Sequence, residues 1–155
     1  MLPSTDSKEI TVPIAGFLNR IGIETRAGEV PGDTFVPGIE VRNGTLIYDE
    51  TKLKYPGDLL HEAGHLAVMT PAERAEANAT VDTGPGEEMA AIAWSYAAAL
   101  HINIDPKIVF HPDGYKGESK SILDNFAKRH YFGVPLLDLW EMTEKYPQMA
   151  KWLRD

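Results

Sequence analysis

Residues 57–68 read GDLLHEAGHLAV, and the reading of this stretch decides what can surround it. Leu59, Leu60, Leu66, Ala67 and Val68 flank a polar middle, which marks a buried helix rather than a solvated one. Asp58 is a suitable N-cap, and Thr70-Pro71 stops the helix after Met69. On such a helix His61 and His65 stand one turn apart on a single face, so both imidazoles reach the same point. Glu62 is rotated from His61 by about 100° in a helix of about 3.6 residues per turn, near that point without occupying it. Ala63 and Gly64 leave room for another element to come close. Gly64 costs roughly 1 kcal/mol of helix propensity against Ala, which asks for a packing reason.

Upstream, GIEVRNGTLIYDE (38–50) carries the clearest strand signal. Ile39 and Val41 precede Asn43-Gly44, and Leu46, Ile47 and Tyr48 follow it; Asn-Gly supplies the two positive-φ positions of a tight hairpin turn. A Gly/Pro-rich segment from Gly28 to Gly38 leads into it. Before that, Ile10, Ile14, Phe17, Leu18 and Ile21 form a helical stripe with Pro13 in its first turn and Gly22 at its end, after a loose tail over 1–9. Downstream, a short helix runs from Pro71 through Ala79, a loop spans Asp82–Gly86, and a strong helix covers Glu87–His101. Asp105–Gly117 reads as loop or short strand around Ile108, Val109 and Phe110, and helices are expected over Ser119–Tyr131, Pro135–Lys145 and Pro147–Leu153. Helix, small sheet, then helices predicts one α+β domain over 1–155, with a small sheet or hairpin packed on the helix that holds His61 and His65.

Composition narrows the chemistry. There is no cysteine, so neither disulfides nor thiolate metal sites are open to the chain, and a metal must be held by His, Asp or Glu. A net charge of −8 argues against general binding to nucleic-acid phosphates. The locally basic stretch Lys107–His130 reads as a solvated helix face. The most apolar run, Met89–Leu100, is too short to cross a bilayer, and no signal peptide is visible, so a cytoplasmic protein is expected.

His61-Glu62-Ala63-Gly64-His65 is an HExxH pattern. A shuffled chain of this composition would contain one with a probability on the order of 0.01. Two imidazoles facing one cation, with a carboxylate beside them to exchange a proton with water, are the groups that zinc-assisted hydrolysis requires. Zinc used catalytically takes a third protein ligand. A histidine six positions after His65 is excluded, because position 71 is Pro71. An acidic residue on the next long helix remains, and Glu87 and Glu88 open it. Glu88 shares a stripe with Ala91, Ile92, Ser95 and Ala99, Glu87 one with Ala90, Ala91, Trp94 and Ala98, and periodicity does not separate them. Whichever is not a ligand has an ordinary role in the first helical turn, where a carboxylate favours the positive end of the dipole.

The passage GTLIYDETKLKYPGDLLHEAGHLAV (44–68), followed by EEMAAIAWSYAAAL (87–100), resembles the ImmA/IrrE-like zinc peptidases of gluzincin type. The resemblance covers about residues 39–100, and Glu88, Ala91 and Trp94 match the family's Glu-x-x-Ala-x-x-aromatic pattern. It implies a zincin-like metalloprotease core, Zn²⁺ held by His61, His65 and Glu88, Glu62 as general base, and a peptide or protein substrate.

A peptidase also needs a donor for the carbonyl oxygen that gains charge. His111 and Tyr115, in the loop FHPDGYKG (110–117), are the candidates, with Tyr96 behind them. His111 could equally be a solvated loop histidine. His101 reads as a dipole partner at a helix end, His130 as surface, and Trp94, Trp140 and Trp152 as core. Glu73, Glu76 and Asp82 read as a solvated acidic stretch, with Asp82 an alternative partner for a histidine. Two other functions compete with the peptidase. One is a metal-binding sensor or regulatory interaction module that cleaves nothing, and the other a structural metal site closed by a fourth protein ligand.

Overall fold

The computed structural model describes residues 7–34, 36–78 and 84–155. Helix α1 spans Ser7–Ile21, followed by strands β1 (Thr25–Ala27), β2 (Ile39–Arg42) and β3 (Thr45–Tyr48). Helices α2 (Asp58–Ala67), α3 (Pro71–Ala75), α4 (Pro85–His101), α5 (Pro106–Val109), α6 (Ser119–Ala127) and α7 (Val134–Leu139) come next, and strands β4 (Thr143–Lys145) and β5 (Gln148–Met149) end the order. The architecture is α+β, as the order of sequence patterns predicts.

The hairpin forms where Asn43-Gly44 places it. Both residues take positive φ, 49° and 80°, and Ile39 pairs with Tyr48 across an antiparallel ladder. Strand β1, which the sequence reading lacks, adds in parallel to β3 and gives a sheet ordered β1-β3-β2. It is only three residues long, below the length at which alternation is visible. Helix α1 begins earlier than its apolar stripe, so Ser7–Glu9 are helical rather than tail, while residues 1–6 lie outside the described residues. Pro13 consequently sits inside the helix, not in its first turn, and withholds one backbone donor there.

The C-terminal third departs most. Asp105–Gly117 is neither strand nor plain loop: α5 occupies Pro106–Val109, with Asp105 accepting from the Lys107 amide, and a 3-10 turn covers Tyr115–Gly117. The expected helix over Pro135–Lys145 stops at Leu139, and the expected helix over Pro147–Leu153 is replaced by the β4–β5 hairpin, with a cis Tyr146–Pro147 bond in its turn. Glu141 adopts positive φ, which breaks the helical path between α7 and β4. Helix α3 ends at Ala75, short of the expected Ala79, which lies outside the described residues. Its Glu73 is not simply solvated, because it closes a capping box with Thr70.

The core is organised on α2 and α4. Leu59, Leu60, Ala63, Leu66 and Ala67 of α2 are wholly buried, as are Ala90, Ala91, Ala93, Trp94, Ala98 and Ala99 of α4. Gly64 supplies the packing reason that its helix cost demands. A Cβ there would lie 2.8 Å from the Ala91 carbonyl oxygen and 2.9 Å from Ser95 Oγ. Trp94 is fully buried and donates to the Trp152 carbonyl, whereas Trp140 and Trp152 are only partly buried. The far end of α2 is held by arginines: the Arg74 guanidinium donates to the carbonyls of Leu66 and Met69, and Arg154 donates to that of Val68. These satisfy carbonyls that the last turn leaves without intrahelical partners. Among the described residues no helix is long and apolar enough to cross a membrane.

Candidate metal centre

Helix α2 brings His61 and His65 together as their spacing requires. Their rings stand nearly perpendicular with centroids 4.8 Å apart, and the two Nε2 atoms are separated by 3.3 Å. From α4, Glu88 Oε2 lies 2.8 Å from His65 Nε2. One donor atom from each of the three residues falls within 4.8 Å of the others. The choice between the two glutamates is thus made by helix packing. Ala91 presses on Gly64, and Glu88, one turn before Ala91, sits on the same side of α4 and meets His65. Glu87 turns back over the N-terminus of α4, where its carboxylate would meet a Cβ on Gly84 at 2.9 Å.

The electrostatics suit a cation. Burial holds His61 down to about 4, and the neighbouring His65 pushes the same way, so its imidazole is neutral and offers a lone pair. Burial works against the Glu88 carboxylate, but its hydrogen bond with His65 and the charges of His65, His61 and Lys116 outweigh this and keep it below the usual range. Tetrahedral zinc with bonds of about 2.0–2.2 Å sets neighbouring ligand atoms about 3.3–3.6 Å apart. The His61–His65 separation already has that value, and the His65–Glu88 pair would open from 2.8 Å by about half an ångström or more. Two imidazoles and one carboxylate therefore fit zinc in number and chemistry, with their donor atoms within 4.8 Å of one another. Among the described residues this cluster has three members, and no fourth ligand joins it.

Two more predicted residues lie beside the cluster. Glu62 is buried, with Oε1 3.8 Å from His61 Nε2, and burial pushes its carboxyl up to about 7. Tyr115 sets its ring edge-on to His61 with centroids 4.8 Å apart, and its hydroxyl is buried with no hydrogen-bond partner among the described residues. Burial raises that hydroxyl well above its ordinary 10, and the charges of Asp58, Glu88 and Glu62 push the same way, so it stays a donor.

His111 is placed differently. It is buried rather than solvated, its Nε2 is 2.7 Å from Asp58 Oδ1, and its ring stacks on Tyr55 at 3.8 Å. Asp58 is therefore no N-cap: Gly57 holds that position without a side-chain bond, and Asp58 spends its carboxylate on His111. Tyr96 packs its ring against Phe110 and Phe126, a core role. His101 packs at a tilt against Phe17 and Trp152, and His130 is exposed. Asp82 lies outside the described residues.

No family model, no curated protein and no solved structure matches this chain. The functional reading therefore rests on the residues themselves. Asp58 and Tyr55 were missed because their partners are 53 and 58 residues away, His111 for the one and Asp113 for the other. Nothing in a linear pattern joins such pairs.

Proposed function

We propose that this protein is a zinc-dependent peptidase of the ImmA/IrrE-like kind, with His61, His65 and Glu88 as metal ligands. The observation that carries the reading is the meeting of three donor atoms within 4.8 Å beside a buried carboxyl, Glu62. Zinc, when bound, supplies a Lewis acid that acidifies water and polarises a carbonyl. Glu62 takes the proton that the attacking water loses and returns it to the leaving amine. Tyr115 donates its hydroxyl hydrogen to the carbonyl oxygen as that atom gains negative charge.

The test is Glu62→Gln, assayed on a mixed-sequence fluorogenic peptide library with zinc measured in the same sample. Cleavage is expected to fall by about 10²–10⁴-fold, the usual worth of general acid–base catalysis, with zinc content unchanged. Full activity in that variant would remove Glu62 from the mechanism. A metal-binding sensor or interaction module that cleaves nothing is the second reading. It is favoured by Tyr115, whose ring stands edge-on against His61 with centroids 4.8 Å apart. Stoichiometric zinc with no cleavage of any library peptide by the wild type would select it.

A further inference from the structure

The loop that carries Tyr115 is folded around one imidazole. The Ser119 hydroxyl donates to the His111 carbonyl at 2.6 Å and contacts the Gly114 carbonyl at 3.2 Å, closing residues 111–119 into a ring of backbone. Gly114 lies so close over the His111 side chain that a Cβ would meet its Cε1 at 3.2 Å. Tyr55 covers the other side of the imidazole, and its hydroxyl donates to Asp113 within the same loop. From this package His111 Nε2 reaches Asp58 Oδ1, three residues before His61 on α2. Beyond it the backbone takes three successive left-handed residues, Tyr115, Lys116 and Gly117, at φ of 56°, 54° and 83°. Two non-glycine residues in that region cost on the order of 1–3 kcal/mol each and persist only where the surroundings hold them.

We infer that Asp58 and His111 form a positioning pair, which ties the Tyr115 loop to the metal-binding helix and holds the Tyr115 hydroxyl at the centre. The inference rests on the zinc reading, and it changes the role of His111. Its Nε2 is engaged by Asp58 and its Nδ1 is buried, so it holds the donor in place and does not itself touch substrate. Asp58 is well suited to the task. It sits on the first turn of the same rigid helix that presents both histidines, so the hydrogen bond fixes the loop relative to the ligands themselves.

The experiment uses the full chain with its six tyrosines ring-labelled with ¹³C, the Tyr115 signal being assigned by its loss in Tyr115→Phe. Zinc alone is added as the probe. In the wild type the Tyr115 signal is expected to shift on zinc addition. In His111→Phe, which keeps a ring against Tyr55, and in the paired Asp58→Leu/His111→Phe, which leaves no buried carboxylate unpartnered, that response is expected to vanish. Zinc affinity should change far less than the roughly 10–100-fold loss that follows removal of a ligand's own hydrogen-bond partner. Tyr131 and Tyr146, which pack on Phe126 and on each other, should keep their positions. A Tyr115 signal that still responds to zinc in the paired variant overturns the positioning role. So does displacement of all the tyrosine signals together, because the pair then supports the fold at large. If Tyr115 fails to respond to zinc in the wild type, it is the donor assignment that falls, and the two failures are distinct.

Discussion

Two polar clusters are built into this small molecule, and they are satisfied to very different degrees. At Asp49, Oδ2 accepts from the Val30 amide at 3.1 Å, and Oδ1 accepts from the amide and hydroxyl of Thr51 at 3.0 and 2.6 Å. Lys52 stands 3.7 Å away. At the α2–α4 face, two imidazole nitrogens that are both acceptors in the metal-binding form meet at 3.3 Å, while His61 Nδ1 and the Tyr115 hydroxyl have no partner. Buried polar groups are as a rule paired, and a group left unpaired costs about 1–3 kcal/mol. The first cluster closes on itself and holds the Val30 backbone beside Asp49 and Lys52. The second brings three possible metal ligands together and leaves two buried polar atoms open beside them, as a binding site would.

The sharpest way to break this contrast is to remove the second cluster's ligands. Zinc at about 1,000 times its dissociation constant should stabilise the wild type by about 4 kcal/mol, read as a rise in melting temperature that a chelator reverses. The pair His61→Leu/His65→Leu should abolish that rise. Its metal-free stability should match or exceed that of metal-free wild type, because two buried polar rings give way to apolar side chains while half-exposed Glu88 returns to water. A strongly destabilised metal-free variant would show that the imidazoles are structural and that the two clusters are of one kind.

Gly64→Ala tests the spacing instead of the ligands. The new Cβ falls 2.8 Å from the Ala91 carbonyl, a backbone atom that cannot swing aside, so the helices must separate. A loss of about 1–3 kcal/mol is expected from denaturant midpoints, together with weaker zinc binding because Glu88 moves away with α4. Unchanged zinc affinity in a destabilised variant would mean that Glu88 is not placed by this contact.

What could be read from the chain follows from the range of the interactions. His61 and His65 are four residues apart on one helix, and the Asn43-Gly44 turn is made by adjacent residues, so local rules suffice for both. Periodicity narrows the third ligand to Glu87 or Glu88 and the family resemblance implies Glu88, while a geometric reason for that choice requires knowing that Gly64 packs on Ala91. The β4–β5 hairpin was misread as helix. Leu136, Leu137 and Trp140 do belong to α7 and its end, but positive φ at Glu141 and the Thr143–Met149 pairing stop the helix from continuing. The Asp58–His111 bond spans 53 residues and left no local trace; it even displaced Asp58 from the capping role its position advertises.

The smallest effect is expected at the satisfied cluster, and it has a definite sign. The hydroxyl of Thr51, then the amides of Val30 and Thr51 and the charge of Lys52, hold the folded Asp49 carboxyl at about 2, below its ordinary 3.8. A carboxyl whose folded value is depressed stabilises the protein above its unfolded value, and that stabilisation drains away as pH falls toward the folded value. The urea midpoint of the wild type should therefore drop between pH 4 and pH 2. Asp49→Asn should start lower at neutral pH, since the amide is a weaker acceptor than the carboxylate, and should fall less steeply over that interval. The difference between the two profiles isolates Asp49 from the other carboxylates that titrate there. Parallel profiles would mean that the Asp49 hydrogen bonds survive protonation, and that its satisfaction owes more to shape than to charge.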